Sequence, residues 1–183
     1  MRVANQRFAR NTSASAKRNR RVKLSRLPSA SRRHGRSAGI LLHRRRAGEI
    51  EVLLVHPGGP FWARRDRGAW SIPKGEHDDD EDPLAAARRE FQEELGSASP
   101  EGLMVDLGEI RQKGGKVVRA WALEGDLDPQ RIVSNTFALE WPPRSGKWID
   151  VPEVDRAGWF SLTEARERIN PAQVALLDRL AEG

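Results

Sequence analysis

A short segment at residues 82–96 constrains the fold of this chain more than any other feature. Asp82 is a suitable N-cap and Pro83 suits the first helical position, while Gly96 suits a left-handed C-cap. The pattern predicts one helix between Asp82 and Gly96. Its apolar residues recur at helical spacing and predict a face that packs on a core: Leu84, Ala87, Phe91 and Leu95.

The neighbouring face of the same helix is acidic. Glu90, Glu93 and Glu94 stand at positions i, i+3 and i+4, so their carboxylates lie within one turn of each other. Like charges at this spacing repel and do not help a helix to fold. A hard divalent cation such as Mg²⁺ takes oxygen ligands and is commonly shared between carboxylates and substrate phosphates. The arrangement favours a metal site over its alternative, a solvated acidic helix with Glu–Arg pairs.

The motif around this helix resembles that of the Nudix hydrolases, also called MutT-like proteins. It reads Gly-x5-Glu-x7-Arg-Glu-Phe-x-Glu-Glu-x-Gly over residues 75–96. As a family, these enzymes cleave a nucleoside diphosphate linked to another moiety. The match departs at Ser97, where the family prefers an apolar residue. This change affects packing after the helix and leaves the ligand set intact. The matching residues are Gly75, Glu81, Arg89, Glu90, Phe91, Glu93, Glu94 and Gly96.

The resemblance implies roles for the charged residues of the motif. Mg²⁺ or Mn²⁺ is the implied cofactor, and Glu90, Glu93 and Glu94 are the implied metal ligands and catalytic groups. Glu81 and Arg89 are expected to hold the preceding loop against the helix, because an arginine fork orients carboxylates rigidly. An ordinary surface ion pair is the alternative for these two residues.

The general base in some relatives lies on a later loop, outside the helix. Glu140 is the first candidate for this role and Glu153 is the second. An isolated glutamate is more often a solvated surface residue.

The rest of the chain predicts a layered fold. Strands around a central helix, followed by two helices, predict a mixed α/β arrangement. The resemblance implies the fold class α/β (α+β), a Nudix αβα sandwich with a mixed β-sheet, over residues 37–183. The predicted strands are 38–42, 50–55, 69–72, 103–112, 116–123, 136–141 and 159–160, and the predicted helices are 163–169 and 172–180.

The first 36 residues differ sharply in composition from the rest. They contain 12 of the 32 lysine and arginine residues and none of the 26 acidic residues. Because they also have few large apolar side chains, we predict a disordered basic tail attached to a mildly acidic domain. Three interpretations stay open: weak binding of RNA, DNA or another acidic partner, a transit peptide, or an extension without function.

Composition also limits the cellular setting. The chain has no cysteine, which excludes disulfides, thiolate zinc sites and a cysteine nucleophile. No apolar run approaches the ~18 residues that span a bilayer, and no secretory signal is evident. These features predict a cytoplasmic protein without a membrane span, and they leave its oligomeric state open.

Basic residues near the motif suggest a phosphate-rich substrate. Lys74 and Gly75 precede the helix, and the Pro-Lys-Gly form resembles the dinucleoside polyphosphate and diphosphoinositol polyphosphate branches of the family. Lys113 and Lys116, in a predicted hairpin turn, also resemble the diadenosine tetraphosphate hydrolases. A lysine at each position is otherwise a routine solvated residue.

The leading hypothesis is a small-molecule nucleotide hydrolase. It would be Mg²⁺-dependent and would cleave a phosphoanhydride bond in a nucleoside polyphosphate, with diadenosine tetraphosphate as an example. One alternative is an RNA 5′-end pyrophosphohydrolase. The other is a non-catalytic Nudix module that binds nucleotide or RNA.

Overall fold

The computed structural model describes residues 35–183. The predicted basic tail, residues 1–36, lies outside the described residues apart from its last two positions, so its disorder and the domain boundary stay predictions. The strands are β1 (Arg36–Arg46), β2 (Glu49–Pro57), β3 (Lys74–Glu76), β4 (Met104–Arg111), β5 (Val117–Glu124), β6 (Thr136–Glu140), β7 (Trp148–Pro152) and β8 (Val154–Ser161). The helices are α1 (Pro83–Leu95), α2 (Leu162–Arg168) and α3 (Val174–Glu182).

Six strands form one mixed sheet. Five of them lie in the order β4-β5-β1-β2-β8, and β3 pairs with the beginning of β1. Strands β1 and β5 are parallel, whereas the other neighbours are antiparallel. The predicted mixed sheet is thereby confirmed, and β1 lies at its centre.

Side chains of β1 alternate between two cores, one on each face of the sheet. Ala38, Ile40 and Leu42 pack in the same buried cluster as Phe91 of α1. Leu41 points the other way, into a cluster with residues of α2 and α3. A two-residue period on a strand buried on both faces produces this division. Helices cover both faces, so the predicted αβα sandwich is also confirmed.

The predicted strand at 69–72 is wrong as a regular strand. Trp70 and Ser71 take part only in isolated bridges, and the regular strand is β3, two residues later. The segment Lys74–Glu76 has no apolar alternation, so its sequence gives no strand signal. It is a strand because it pairs with β1 where Gly39 permits close approach: a Cβ at Gly39 would lie 2.5 Å from the Pro73 carbonyl oxygen.

Strands β6 and β7 form a separate two-stranded hairpin. Sequence analysis predicted β6 and missed β7, which follows a tip rich in proline, serine and glycine. Most of the hairpin is exposed, so β7 lacks the apolar run that marks a buried strand.

Among the helices of residues 35–183, none is long and apolar enough to cross a membrane.

Candidate active site

Helix α1 begins and ends at the predicted caps. The Asp82 side chain accepts hydrogen bonds from the backbone N–H groups of Leu84 and Ala85, at 3.4 and 3.2 Å. Gly96 ends the helix with a φ of 76°, in the left-handed region. Ala86, Ala87, Phe91 and Leu95 are buried. With this face fixed on the core, the glutamates point to the other side.

Arg89 connects the preceding loop to the acidic face. Its Nε and Nη2 atoms donate to the two carboxylate oxygens of Glu81, at 3.0 and 3.1 Å. Its Nη1 donates to Glu90 and, at 3.4 Å, to Glu93. The hydrogen bond from Arg89 is the main cause that lowers the pKa of Glu81. Arg89 thus links Glu81, in the loop before the helix, to Glu90 and Glu93 on the helix, and the functional roles of this pair stay predictions.

Glu90 occupies space that only a glycine leaves free. A Cβ at position 75 would lie 1.7 Å from Glu90 Oε2. The Glu90 side chain is 12% exposed. Burial raises its pKa, and the hydrogen bond from Arg89 opposes that rise. Gly75, expected among the substrate-binding residues, therefore has a steric role in seating Glu90.

Glu94 contacts the backbone of β3. Its Oε2 accepts a hydrogen bond from the backbone N–H of Lys74 at 3.2 Å. Burial raises the pKa of Glu94 to about 8, although the charge of Lys74 opposes the shift. Burial likewise lowers the pKa of Lys74, against the charge of Glu94.

A fourth carboxylate, Glu153, acts on the same group. The Glu153 side chain is exposed, but partial desolvation still raises its pKa first, and the charges of Glu90 and Glu93 raise it further. Glu153 in turn contributes to the raised pKa of Glu94. Glu140 lies elsewhere: its Oε1 accepts from the Gly146 N–H at 2.7 Å, inside the β6–β7 hairpin. Of the two loop candidates, Glu153 is the one whose charge couples to the helix glutamates.

Backbone hydrogen bonds hold Glu153 relative to α1. The N–H of Asn135 donates to the carbonyl of Glu93 at 3.0 Å, at the carboxyl end of the helix. The N–H of Glu153 donates to the carbonyl of Asn135 at 2.8 Å, and that of Gly58 donates to the carbonyl of Glu153 at 3.1 Å. On the other side, the Ser134 hydroxyl accepts from the Val154 N–H at 3.0 Å. The Glu93 carbonyl, in the last turn of α1, thus anchors Asn135, and Asn135 in turn holds the main chain of Glu153.

The donor set fits a divalent cation. Within residues 35–183, no three acidic or histidine side chains are already close enough together to hold a metal ion. Glu90 and Glu93 are instead held by Arg89. The charges of neighbouring glutamates nevertheless contribute to the raised pKa values of Glu90, Glu94 and Glu153, and carboxylate oxygens are the ligands that Mg²⁺ and Mn²⁺ prefer. A cation there would offset the repulsion that Arg89 only partly relieves.

A cavity of about 190 Å³ opens beside these groups. Lys74, Glu94 and Glu153 line it, and Trp62 and Trp70 supply aromatic walls. The cavity thus brings the Lys74 side chain, two carboxylates and two aromatic rings together next to the acidic face.

The structure adds three lining residues that sequence analysis missed: Gln112, Asn170 and Gln173. Gln173 is fully buried, and its Oε1 accepts from the Ile72 N–H at 3.0 Å. No local pattern marks Asn170 or Gln173, because a bridge between Trp70 and Ile169 brings that part of the chain to the cavity.

The two hairpin lysines differ from Lys74 in position. Lys116 Nζ forms an ion pair with Glu76 at 3.0 Å, and its charge acts on Lys74. Lys113 is exposed in the turn between β4 and β5, where Gln112 lines the cavity instead. A substrate-binding role for either lysine stays a prediction.

A buried histidine fixes the loop that carries Trp62. His56 is 0% exposed, and its Nδ1 lies 2.7 Å from Asp155 Oδ1. Its Nε2 lies 2.7 Å from the carbonyl oxygen of Arg65. Both partners are acceptors, so both contacts are hydrogen bonds only when each ring nitrogen carries a proton.

The sequence matches a known family model and several known proteins. The family model of the NUDIX domain matches residues 33–180. An RNA pyrophosphohydrolase from Caulobacter vibrioides is 42% identical over 143 residues, which cover 67% of this chain and 76% of that protein. An octanoyltransferase from Myxococcus xanthus is 33% identical over 145 residues, which cover 73% of this chain. The match spans only 36% of that longer protein.

Solved structures share the fold at lower identity. An Ap4A hydrolase from C. elegans, in a binary complex, superposes with a TM-score of 0.58 at 22% identity, covering 80% of this chain and 96% of that one. The NUDIX domain of Shewanella oneidensis NrtR, complexed with ADP ribose, gives a TM-score of 0.57 at 17% identity, covering 86% and 92%. At these identities the likeness concerns the fold alone.

Proposed function

Because this chain belongs to the Nudix family of pyrophosphohydrolases, we propose that it uses divalent metal ions to hydrolyse a phosphoanhydride bond in a nucleoside polyphosphate. Dinucleoside polyphosphates such as diadenosine tetraphosphate are the first substrates to test. The observation that carries the proposal is the set of mutually repelling carboxylates beside a cavity that Lys74 also lines.

Glu90, Glu93 and Glu94 would hold the metal ion, Mg²⁺ or Mn²⁺. When bound, the ion neutralises phosphate charge and lowers the pKa of a coordinated water. Arg89 keeps Glu90 and Glu93 on one side of the helix, and Gly75 leaves Glu90 the room it needs. Lys74 adds a positive charge on the cavity wall, where it favours the anionic polyphosphate.

Glu153 is the better placed candidate for the general base. A carboxylate that takes a proton from the attacking water works best when its pKa lies near the working pH. Partial desolvation and the charges of Glu90 and Glu93 raise the pKa of Glu153 in that direction, and its exposed side chain is accessible to water. Backbone hydrogen bonds on both sides hold its main chain. Glu140 is occupied within its hairpin and is the second candidate for the role.

Glu93→Gln and Glu94→Gln test the metal site. Each variant keeps the size of the side chain and removes a charged ligand, so we expect turnover to fall by at least about 100-fold with the fold retained. Steady-state hydrolysis of diadenosine tetraphosphate and calorimetric titration with Mn²⁺ measure the two effects. Glu101→Gln, at an exposed position, is the matched control. Wild-type turnover in both helix variants would exclude the helix from the reaction.

A second candidate substrate is the 5′ end of RNA. It is favoured by the 42% identity to an RNA pyrophosphohydrolase over most of that protein's length. A panel of diadenosine tetraphosphate, nucleoside triphosphates, nucleotide sugars and 5′-triphosphorylated RNA, with Mg²⁺ or Mn²⁺, would separate the two substrates. Nucleotide binding without any hydrolysis would instead favour the non-catalytic module.

The predicted cytoplasmic location stays a prediction.

A further inference from the structure

Two segments that contact each other expose aromatic and basic side chains together. One is the loop after β2, and the other is the tip of the β6–β7 hairpin. The ring centroids of Phe61 and Trp141 lie 4.7 Å apart in an edge-to-face contact, which joins the two segments. We call this surface the aromatic–basic rim. Its residues are Phe61, Trp62, Arg64, Arg65, Trp141, Arg144, Lys147 and Trp148.

The aromatic residues of the rim are unusually exposed. Trp148 is 67% exposed, Phe61 53% and Trp62 36%. Large aromatic side chains contribute most to stability when buried, so their exposure side by side marks an interaction surface rather than a packing requirement.

The rim also holds cations without acidic partners. Within residues 35–183, Arg64, Arg144 and Lys147 form no ion pair, and the Arg65 guanidinium lies 5.5 Å from the centroid of the Trp62 ring. Neighbouring acids are engaged elsewhere: Asp66 binds Arg168, and Glu140 accepts from Gly146. Asp150, two residues along β7 from Trp148, is exposed. The rim therefore keeps a net positive charge.

We propose that the aromatic–basic rim binds a single-stranded nucleic acid, with bases stacked on its aromatic rings and phosphates beside its cations. Stacking requires exposed base faces, which a duplex does not offer. The second nucleoside of a dinucleoside polyphosphate would use the rings, but it carries no charge for four cations to meet. A strand supplies one phosphate per nucleotide and so uses both features.

The rim is continuous with the cavity. Trp62 belongs to both, and it lines the cavity with Glu94 and Glu153. A strand on the rim therefore has a path by which its 5′ end reaches the glutamates. This last step rests on the proposed function, whereas binding of the strand to the rim does not.

Fluorescence anisotropy with a labelled 12-nucleotide single-stranded RNA tests the rim. The RNA carries a 5′-hydroxyl, and EDTA removes metal ions, so neither hydrolysis nor the metal site contributes. The full chain is compared with Arg144→Asn/Lys147→Gln. Asparagine at position 144 is chosen because Arg144 has a φ of 62°, which asparagine tolerates. Arg45→Gln/Arg46→Gln removes the same amount of charge and is the matched control. Both residues are exposed at the carboxyl end of β1, away from its pairing with β3.

We expect the rim double variant to bind about tenfold more weakly at low salt and to show a smaller salt dependence. Each lost phosphate contact reduces the slope of log K against log salt by about 0.7. Trp148→Ala should weaken binding roughly fivefold or more through lost stacking. The control should bind as the wild type does, because Arg45 and Arg46 do not belong to the rim. Binding by the basic tail is common to all variants and does not distinguish them.

Three results would overturn the proposal: no binding of RNA by the wild type, equal affinity of the rim and control variants, or equal affinity of the wild type for single- and double-stranded RNA. Because no hydrolysis is measured, failure of the proposed reaction gives a separate result. Thermal unfolding of each variant shows whether it is folded. If Trp148→Ala does not fold, the charge variants still decide.

Discussion

At the scale of the residue, Glu94 shows how the site stores electrostatic free energy. It lies on α1 and accepts a backbone hydrogen bond from Lys74 of β3, and desolvation raises its pKa to about 8. Without a metal ion, ionising this carboxylate is costly, because burial penalises the charged form. A bound cation would favour the ionised form. Ionised Glu94 therefore destabilises the site when no metal ion is bound, whereas it would act as a ligand when one is bound.

This cost predicts a pH-dependent gain from Glu94→Gln in the metal-free protein. The ordinary pKa of 4.5 is raised to about 8 on folding, so the folded state binds more protons than the unfolded state between these values. Stability of the wild type therefore falls as the pH rises through this window. At pH 9 in EDTA, the variant should be more stable by at least about 1 kcal/mol, or roughly 2–4 °C in Tm.

Thermal unfolding at pH 5 and pH 9 measures this effect. The advantage of the variant should disappear at pH 5, where Glu94 is protonated in the folded state. Glu101→Gln should show no difference at either pH, because its side chain is exposed. A variant that is less stable than the wild type at pH 9 would contradict the inferred burial cost.

At the scale of the element, the sequence predicted what local chemistry determines. Helix α1, its caps and its two faces follow from the spacing of Asp82, Phe91, Glu93 and Gly96, and the structure has them at those positions. Strand β3 could not be predicted, because its identity depends on pairing with β1. The lining residue Gln173 was missed for the same reason, since 101 residues separate it from Ile72, its hydrogen-bond partner.

The segment between β5 and β6 has a function that no sequence pattern announced. Residues 133–135 cap the carboxyl end of α1 and support the residues around Glu153. Ser134 contributes a side-chain hydroxyl to this support. We infer that Ser134 is a positioning residue for Glu153.

Ser134→Ala should lower kcat by about tenfold with little change in KM. The variant leaves the N–H of the buried residue Val154 without its partner, which costs about 1–2 kcal/mol and loosens the Glu153 main chain. Steady-state kinetics across a pH series measures kcat, KM and the apparent pKa of the base. Ser134→Thr keeps the hydroxyl and should restore activity.

Ser161→Ala is the matched control for this prediction. The Ser161 hydroxyl also accepts a backbone hydrogen bond, from Glu164 at 3.3 Å, but it caps α2 instead. The control should lose comparable stability and keep its kcat. Equal kinetic losses in both alanine variants would mean that Ser134 acts only through overall stability.

At the scale of the whole molecule, the chain combines a basic tail with an acidic domain. The tail contains 12 of the 32 cationic residues, although the complete chain has a net charge of only +6. Strand β1 begins at Arg36 and pairs with Val117 from its first residue. Just before it, the carbonyl of Gly35 accepts a hydrogen bond from the Val117 N–H at 3.2 Å.

Deletion of residues 1–34 should leave hydrolysis of small nucleotides within about twofold of the full chain. The acidic face, the cavity and the supports of Glu153 all belong to residues 35–183. RNA binding should weaken, because the tail adds nonspecific phosphate contacts. Parallel kinetics and RNA titrations measure both effects. A large fall in kcat for a small nucleotide would show that the tail takes part in the reaction.

The two contacts of His56 have a consequence for how the cavity accommodates a large substrate. One ring nitrogen meets Asp155, two positions after Glu153, and the other meets the backbone of Arg65, three positions after Trp62. One imidazole thus connects the two sides of the cavity, in addition to the hydrogen bond between the Gly58 N–H and the Glu153 carbonyl. We therefore expect His56, which does not itself line the cavity, to limit how far the two sides can separate around a large substrate.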